Sequence, residues 1–132
     1  MLKKDVAIYC RVDNKSEFEI ERQKEVLKKH CESNGYEIFK IYEDNGYNSN
    51  SLNRPALSQM LRDLNYYKFQ KIITLSVDRI CRTSEQLQEF IFLIINKDCV
   101  LETLKDTLPI SSKVKMADGL GKLYPKIQGR YI

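Results

Sequence analysis

Apolar residues along the first 104 positions fall into two kinds of segment that follow each other in turn. Short apolar or alternating runs at 5–10, 37–42, 71–76 and 99–104 predict four strands. The segment 71–76 forms one continuous apolar run around Ile72, Ile73 and Leu75, which is typical of a central parallel strand covered on both faces. The longer segments between the runs repeat apolar residues every three or four positions, which indicates amphipathic helices.

Start and stop signals support three helices in the intervening segments. Ser16-Glu17-Phe18-Glu19 fits a capping box, in which Ser16 accepts a hydrogen bond from a first-turn amide and Glu19 reaches back. Asn34-Gly35 ends this helix near residue 33, Arg54-Pro55 begins the second, and Thr83 or Ser84 caps the third. The residues expected on the inner faces are Ile20, Val26, Leu27 and Cys31, then Leu57, Met60, Leu61 and Leu64, then Leu87, Phe90, Ile91, Leu93 and Ile94.

Strands that alternate with helices predict right-handed strand–helix–strand units. The expected fold class is therefore α/β: a three-layer α/β/α domain with a mostly parallel sheet of four or five strands. Residues 1–104 would form the domain core, with one long mobile loop at 43–53. The pattern weakens after Pro109, where Gly119 and Gly121 interrupt a possible helix, so residues 105–132 are expected to form a separate tail.

Composition narrows the class of protein. With 132 residues, 42% of them hydrophobic, the chain can bury one globular core. It has neither a membrane-length apolar run nor an apolar signal region near Met1, so a cytoplasmic protein without a membrane partner is expected. The four scattered cysteines suit small buried side chains in a reducing compartment. No metal or cofactor is expected, and His30 would be a partly exposed packing residue.

The net charge of +4 is concentrated near the end of the chain. Residues 1–104 hold 16 basic and 16 acidic side chains, whereas residues 105–132 hold six basic and two acidic ones. A basic tail suits a polyanionic partner, but a solvated terminal segment explains the charge equally well.

Four arginines stand at the junctions where predicted strands end or helices begin. Arg11 follows the first strand, Arg54 precedes the second helix, and Arg79 and Arg82 follow the third strand. The carboxyl edge of a parallel sheet is where ligands bind in such folds. Permanently charged guanidiniums bind phosphate oxygens in pairs and stabilise the charge that gathers there during phosphoryl transfer. The spacing thus favours a metal-free phosphate site.

Several segments of residues 5–104 together resemble the catalytic domain of the serine recombinases, the resolvase and invertase family. The matching segments are Tyr9-x-Arg11-Val12, Glu21-Arg22-Gln23, Tyr42-Glu43-Asp44-Asn45-Gly46-Tyr47, Asn53-Arg54-Pro55-Ala56-Leu57 and Asp78-Arg79-Ile80-Cys81-Arg82. The resemblance implies DNA as the partner, bound through its phosphate backbone. It also implies that the four arginines surround the scissile phosphate, while Gln23, Asp44 and Asp78 organise the site or its proton transfers.

The chain departs from the family pattern at the nucleophile, because Asp13 stands where the family has its attacking serine. Serine attack exchanges one phosphodiester for another, whereas a carboxylate would form a high-energy acyl phosphate. A carboxylate about 4 Å from a DNA phosphate would also be repelled by roughly 4 kcal/mol near a protein surface. Asn48-Ser49 replaces the usual Ser-Gly, and the region 111–124 would be a degenerate or truncated form of the family's helix E, with no DNA-recognition domain.

These departures predict a recombinase homologue that is defective in cleavage. Asp13 would form an ion pair with one or more of Arg11, Arg79 and Arg82 and have a depressed pKa. One alternative is an active strand-exchange module, with Asp13 introduced artificially or Ser16, Ser49 or Ser51 recruited, although helix capping explains Ser16 better. Another is a protein-interaction domain or regulatory pseudo-enzyme without DNA. A homodimer and a heteromer with an active recombinase both remain open.

Overall fold

The computed structural model describes residues 5–105 and 127–128. As far as residue 103 the strands and helices alternate in chain order, and the third strand is followed by a short 3-10 turn, Val77–Arg79. The elements are β1 Asp5–Val12, α1 Glu17–Ser33, β2 Glu37–Asn45, α2 Pro55–Tyr67, β3 Lys71–Thr74, α3 Ser84–Ile95, β4 Val100–Thr103 and β5 Ile127–Gln128.

The strands form one sheet in the order β2-β1-β3-β4-β5, and every pairing is parallel. This arrangement confirms the α/β class and the parallel sheet. Ile127–Gln128 adds a fifth strand beside β4, so part of the segment expected to be a tail belongs to the sheet. The degenerate helix expected at 111–124 lies outside the described residues.

The side chains of β1 alternate between two separate cores, as the two-residue period of a strand requires. Val6, Ile8, Cys10 and Val12 pack with α1 on one face of the sheet. Ala7 and Tyr9 pack with α2, α3 and the 3-10 turn on the other face. Helices therefore cover both faces, as expected, and all four cysteines are free thiols and buried.

Two strands extend further than the sequence pattern indicated, and two are shorter, β4 by one residue at each end. β1 and β2 remain paired as far as Val12 and Asn45, because each continues to supply the other with hydrogen-bond partners after the apolar run ends. Arg11 and Asp44 consequently lie inside strands. β3 ends at Thr74, two residues early, and the carbonyl of Leu75 instead accepts from the amides of two residues beyond β4.

Only half of the capping box at α1 is present. The Ser16 hydroxyl accepts from the Glu19 amide at 3.2 Å, which confirms Ser16 as the helix cap. The Ser16 amide, however, donates to the Asn45 side chain at 2.8 Å, where Glu19 was expected. The end of β2 therefore fixes the start of α1, since Asn45 also donates to Glu17 at 2.9 Å.

Two residues expected on inner helix faces are exposed instead. Val26 is 42% exposed, because the buried side of α1 follows Ile20, Leu27 and Cys31, and Val26 lies beside that stripe. Leu93 is 48% exposed, because it lies in a groove between α2 and α3 and does not point at the sheet. The other expected inner residues are buried, except Leu61, which is partly buried against the same core.

His30 lies at the opposite end of α1 from the cap and is partly exposed, as expected. Its Nε2 contacts the carboxylate of Glu102 on β4. The other oxygen of Glu102 accepts from Lys71 at 2.7 Å and from the Tyr36 hydroxyl at 3.1 Å. This network ties the C-terminal end of α1 to the sheet. No helix among the described residues has the length and apolarity to cross a bilayer.

Candidate functional site

All the arginines and carboxylates singled out in the sequence lie around the carboxyl ends of β1, β2 and β3. Arg11 and Asp44 are in β1 and β2, and Asp13 follows β1 directly. Arg54 precedes α2, and Asp78, Arg79 and Arg82 lie between β3 and α3. The four guanidiniums face three carboxylates, Asp13, Asp44 and Asp78. The fold thus collects the charges at one edge of the sheet, but it gives them very different exposure.

Arg11 is completely buried, and its guanidinium donates to three backbone carbonyls in two segments of the chain. Nε donates to the carbonyl of Arg79 and Nη2 to that of Asp78, both at 2.8 Å. Nη1 donates to the carbonyl of Tyr47 at 2.8 Å and also contacts the carboxylate of Asp13. These partners occupy most of the five donors of the side chain. Arg11 is therefore a buried structural residue that holds the backbone around the site in place.

Arg54 is also buried, at 3% exposure, and has a similar set of partners. Nε donates to the hydroxyl of Tyr9 at 3.0 Å, and Nη1 donates to the carbonyl of Ser51 at 2.8 Å. Nη2 donates to the carbonyl of Ile80 at 2.6 Å. The two buried arginines thus hold the loop after β2 and the turn after β3 against the sheet.

Asp44 caps a helix from a neighbouring strand. Arg54, the residue at the N-cap of α2, provides no side-chain cap of its own. The carboxylate of Asp44 accepts from the amides of Ala56 at 2.8 Å and Leu57 at 3.0 Å, which satisfies two free donors of the first turn. It also accepts from the Tyr9 hydroxyl at 2.7 Å. Both oxygens of Asp44 are therefore occupied within the protein.

Tyr9 links Asp44 to Arg54, a role that the sequence reasoning did not assign to it. Burial raises the pKa of the Tyr9 hydroxyl above its usual 10.0, so the group stays protonated and donates. The available signal was the one aromatic residue of β1, whose polar hydroxyl follows the apolar stretch Val6-Ala7-Ile8.

Gln23 on α1 extends the pairing of β1 beyond the end of β3. The β1–β3 register ends at Tyr9 and Thr74. Two residues further on, the Gln23 amide donates to the carbonyl of Arg11 at 2.9 Å and accepts from the amide of Arg11 at 3.2 Å. The side chain thus replaces a strand partner, and it positions the backbone that leads to Asp13.

Asp13 lies at the exposed rim of the site, between two arginines. One oxygen contacts Arg11 Nη1, and the other accepts from Arg82 Nη2 at 3.0 Å. The hydrogen bond from Arg11 lowers the pKa of Asp13 below 3.8 against a small opposing effect of burial, and the charges of Arg11, Arg82 and Arg79 lower it further. The predicted ion pair and depressed pKa are both confirmed.

Arg79 and Arg82 are the more exposed arginines, with side chains 26% and 58% accessible. Nη1 of Arg79 donates to the carbonyl of Arg11 at 2.9 Å, and its Nε donates to Asp78 at 3.3 Å. Burial raises the pKa of Asp78, but hydrogen bonds from Ser76 and Arg79 outweigh it and bring that pKa below 3.8. An anion approaching from solvent would therefore meet Arg79 and Arg82 first.

The loop between β2 and α2 is held at several points, although the sequence pattern indicated a long mobile loop. Gly46 adopts a φ of +92°, a conformation that favours glycine, and its amide donates to the carbonyl of Val12 at 3.0 Å. Gln86 on α3 donates to the carbonyls of Ser49 and Asn50 at 3.0 and 3.1 Å. Gln86 was missed because exposed polar residues of a helix look alike in sequence.

The serines considered as substitute nucleophiles have other environments. Ser16 caps α1, and the Ser51 hydroxyl accepts from the Asn53 amide at 2.9 Å. Ser49 is 3% exposed, and its hydroxyl has no hydrogen-bond partner among the described residues. Within the same residues, no three histidine, cysteine or acidic side chains converge as metal ligands.

Replacing Asp44 should destabilise the protein strongly. Asp44→Ala leaves the Tyr9 hydroxyl and two helix amides buried without their acceptor, and it removes the carboxylate that lies 3.9 Å from Nε of Arg54. Together these losses should cost about 3–5 kcal/mol in the free energy of unfolding. Asp44→Asn keeps one carbonyl oxygen and should lose clearly less. Urea denaturation of the three proteins measures the difference. A loss below about 1 kcal/mol for Asp44→Ala would contradict the capping role.

The ion pairs of Asp13 should make stability depend on pH in the acid range. A carboxyl whose pKa is lower in the folded state adds stability above its unfolded pKa, near 3.8, and loses it as the pH falls through the folded value. The advantage of the parent protein over Asp13→Asn should therefore shrink as the pH falls below about 4. Urea denaturation of both proteins from pH 6 to pH 2.5 checks this. Parallel stability curves over that range would refute it.

Comparison with known proteins identifies the family and the fold of this chain. The family model described as the N-terminal domain of resolvase matches residues 6–128. The chain is also 38% identical over 65 residues to uncharacterized immunity region protein 3 of Bacillus phage phi105, a match that covers 46% of this chain and 79% of the phage protein.

Solved structures show the same fold at lower sequence identity. The N-terminal catalytic domain of TP901-1 integrase aligns with a TM-score of 0.72 and 23% identity, over 93% of this chain and 91% of that one. A resolvase-family site-specific recombinase from Streptococcus pneumoniae aligns with a TM-score of 0.67 and 20% identity, over 93% and 85% of the two chains. Since the family model spans most of the sequence, this protein belongs to the resolvase N-terminal domain family and is a homologue of the serine recombinase catalytic domains.

Proposed function

We propose that this domain binds the phosphate backbone of DNA at the carboxyl edge of the sheet and does not cleave it through position 13. Arg82 and Arg79 would make the phosphate contacts, while Arg11, Arg54, Gln23, Asp44 and Asp78 hold the frame around them. The observation that carries the loss of cleavage is the position of Asp13, whose carboxylate is bound between Arg11 and Arg82. A carboxylate there uses guanidinium donors that a phosphate oxygen would otherwise take. Binding is supported by the exposure of the Arg79 and Arg82 side chains, which leaves the remaining donors of these two guanidiniums accessible from solvent.

The chemistry of Asp13 supports the loss of cleavage. Its pKa is depressed, so the group is ionised at neutral pH and repels an incoming phosphate. If it attacked, the product would be an acyl phosphate. Such a bond is open to hydrolysis and does not preserve the energy of the phosphodiester for rejoining. The surroundings of Ser16 and Ser51 give no support to either as a substitute nucleophile.

A protein of this kind would act in DNA recombination as a regulatory or accessory subunit, paired with a second copy or with an active recombinase. Its similarity to a phage protein is compatible with an origin in a mobile element. A second candidate is a domain that binds protein and not DNA. It is favoured by the two buried arginines, Arg11 and Arg54, whose donors are largely taken up by carbonyl groups of the protein itself.

DNA binding through Arg82 is tested by its dependence on salt. Each lost phosphate contact should reduce the slope of log K against log salt by about 0.9 on duplex DNA. Arg82→Ala should therefore bind a labelled duplex more weakly and with a shallower slope, as measured by fluorescence anisotropy between 50 and 200 mM salt. Arg62→Ala, on α2, removes one exposed charge elsewhere and serves as the control. Equal slopes for Arg82→Ala and the parent protein would favour the protein-binding alternative.

The missing nucleophile is tested by restoring it. Asp13→Ser should form a covalent adduct with supercoiled DNA that carries the cognate site, whereas the parent protein and Asp13→Asn should form none. Gels run in SDS with a uniformly labelled plasmid detect the adduct as a retarded species that protease treatment removes. Asp13→Asn distinguishes the loss of the negative charge from the gain of a nucleophile, because it removes the charge of Asp13 without supplying a hydroxyl. Adducts formed by the parent protein would overturn the proposed loss of cleavage.

A further inference from the structure

A second basic surface lies beside the site, on the α1 face of the sheet. A shallow recess is lined by Arg22 and Glu19 of α1, by Arg79 after β3, and by Lys105 after β4, with Val26 and Leu75 as its apolar part. Arg22 and Lys105 are exposed, and neither forms an ion pair or side-chain hydrogen bond with another described residue. Three cations thus line the recess, where Glu19 is the one carboxylate of the lining, and Arg79 is also paired with Asp78 beside it.

The recess is joined to the site by two shared residues. Gln23 lines the recess and also holds the backbone of Arg11 through two hydrogen bonds. Arg79 lines the recess and also donates to the carbonyl of Arg11 at 2.9 Å. Leu75 and Lys105 follow the carboxyl ends of β3 and β4, so the recess opens at the same edge of the sheet as Asp13.

We propose that this recess is a second phosphate site, which takes another backbone phosphate of the DNA bound at Arg82. The inference rests on the proposed function and extends it to Arg22 and Lys105, which belong to no part of the site described above. Cations that converge without enough counter-charge repel one another, and a phosphate diester relieves that repulsion. Arginine and lysine supply the donors.

Two such sites on one edge would fix the direction of the DNA strand. A single contact at Arg82 allows the strand to turn about that point, whereas a second contact defines a line across the ends of β1, β3 and β4. Contacts to phosphates position a protein on nucleic acid without reading its sequence. The recess would therefore contribute affinity and orientation but no choice of target.

The test is a pair of double variants that remove equal charge. The test variant combines Arg22→Ala with Lys105→Ala, which removes two positive side chains from the lining of the recess. The control variant combines Arg62→Ala with Lys97→Ala, which removes two positive side chains from a groove between α2 and α3, on the opposite face of the sheet. If one phosphate contact is lost, duplex binding should weaken about 15-fold at 50 mM salt and about 4-fold at 200 mM, with a slope shallower by about 0.9. The control pair should keep the slope of the parent protein. Circular dichroism and urea midpoints verify that all variants are folded.

Measuring Arg82→Ala in the same series distinguishes a failure of the recess proposal from a failure of the proposed function. The recess is supported if the Arg22 and Lys105 variant loses affinity and slope beyond the control pair. It is refuted if that variant matches the control pair, and in that case a loss for Arg82→Ala still supports the proposed function. If Arg82→Ala and both double variants all bind like the parent protein, the recess and the proposed function are both refuted.

Discussion

The buried guanidinium of Arg11 connects segments that follow three different strands. Its donors reach Asp13 after β1, Tyr47 after β2, and Asp78 and Arg79 after β3. A charge this deeply buried is tolerated only because carbonyl oxygens and a carboxylate satisfy it. Removing it would leave several acceptors without partners at once. The geometry of the whole carboxyl edge therefore depends on this one side chain.

A second connection runs from Tyr9 through Asp44 to the start of α2. Asp44 replaces the cap that Arg54 does not supply, and Arg54 in turn holds the carbonyls of Ser51 and Ile80. These groups are buried and share partners, so substitutions within the set should not have additive effects on stability. The result is a rigid frame beneath a more exposed rim that carries Asp13, Arg79 and Arg82.

The arginines at the rim can bind either of two anions, a phosphate or a carboxylate. Guanidiniums that would bind a phosphate also bind a carboxylate, and Asp13 takes that place in this chain. The ion pairs of Asp13 stabilise the folded protein at neutral pH, and under the proposed function the same carboxylate opposes attack on DNA at this position. Outside this contact, Arg79 and the neighbouring recess still present positive charge to solvent. Under the proposed function, DNA binding and DNA cleavage are therefore separable properties of the domain.

The sequence alone determined the alternation of strands and helices, the parallel sheet and the gathering of four arginines at its carboxyl edge. Apolar periodicity and chain order suffice for these features, because they are set locally and by the handedness of the connections. Only the tertiary structure decided which arginines are buried, that Asn45 and not Glu19 completes the cap of α1, and that Arg22 and Lys105 share a recess. The reason is physical: the partners of a buried charge come from residues remote in sequence, and no local pattern records them.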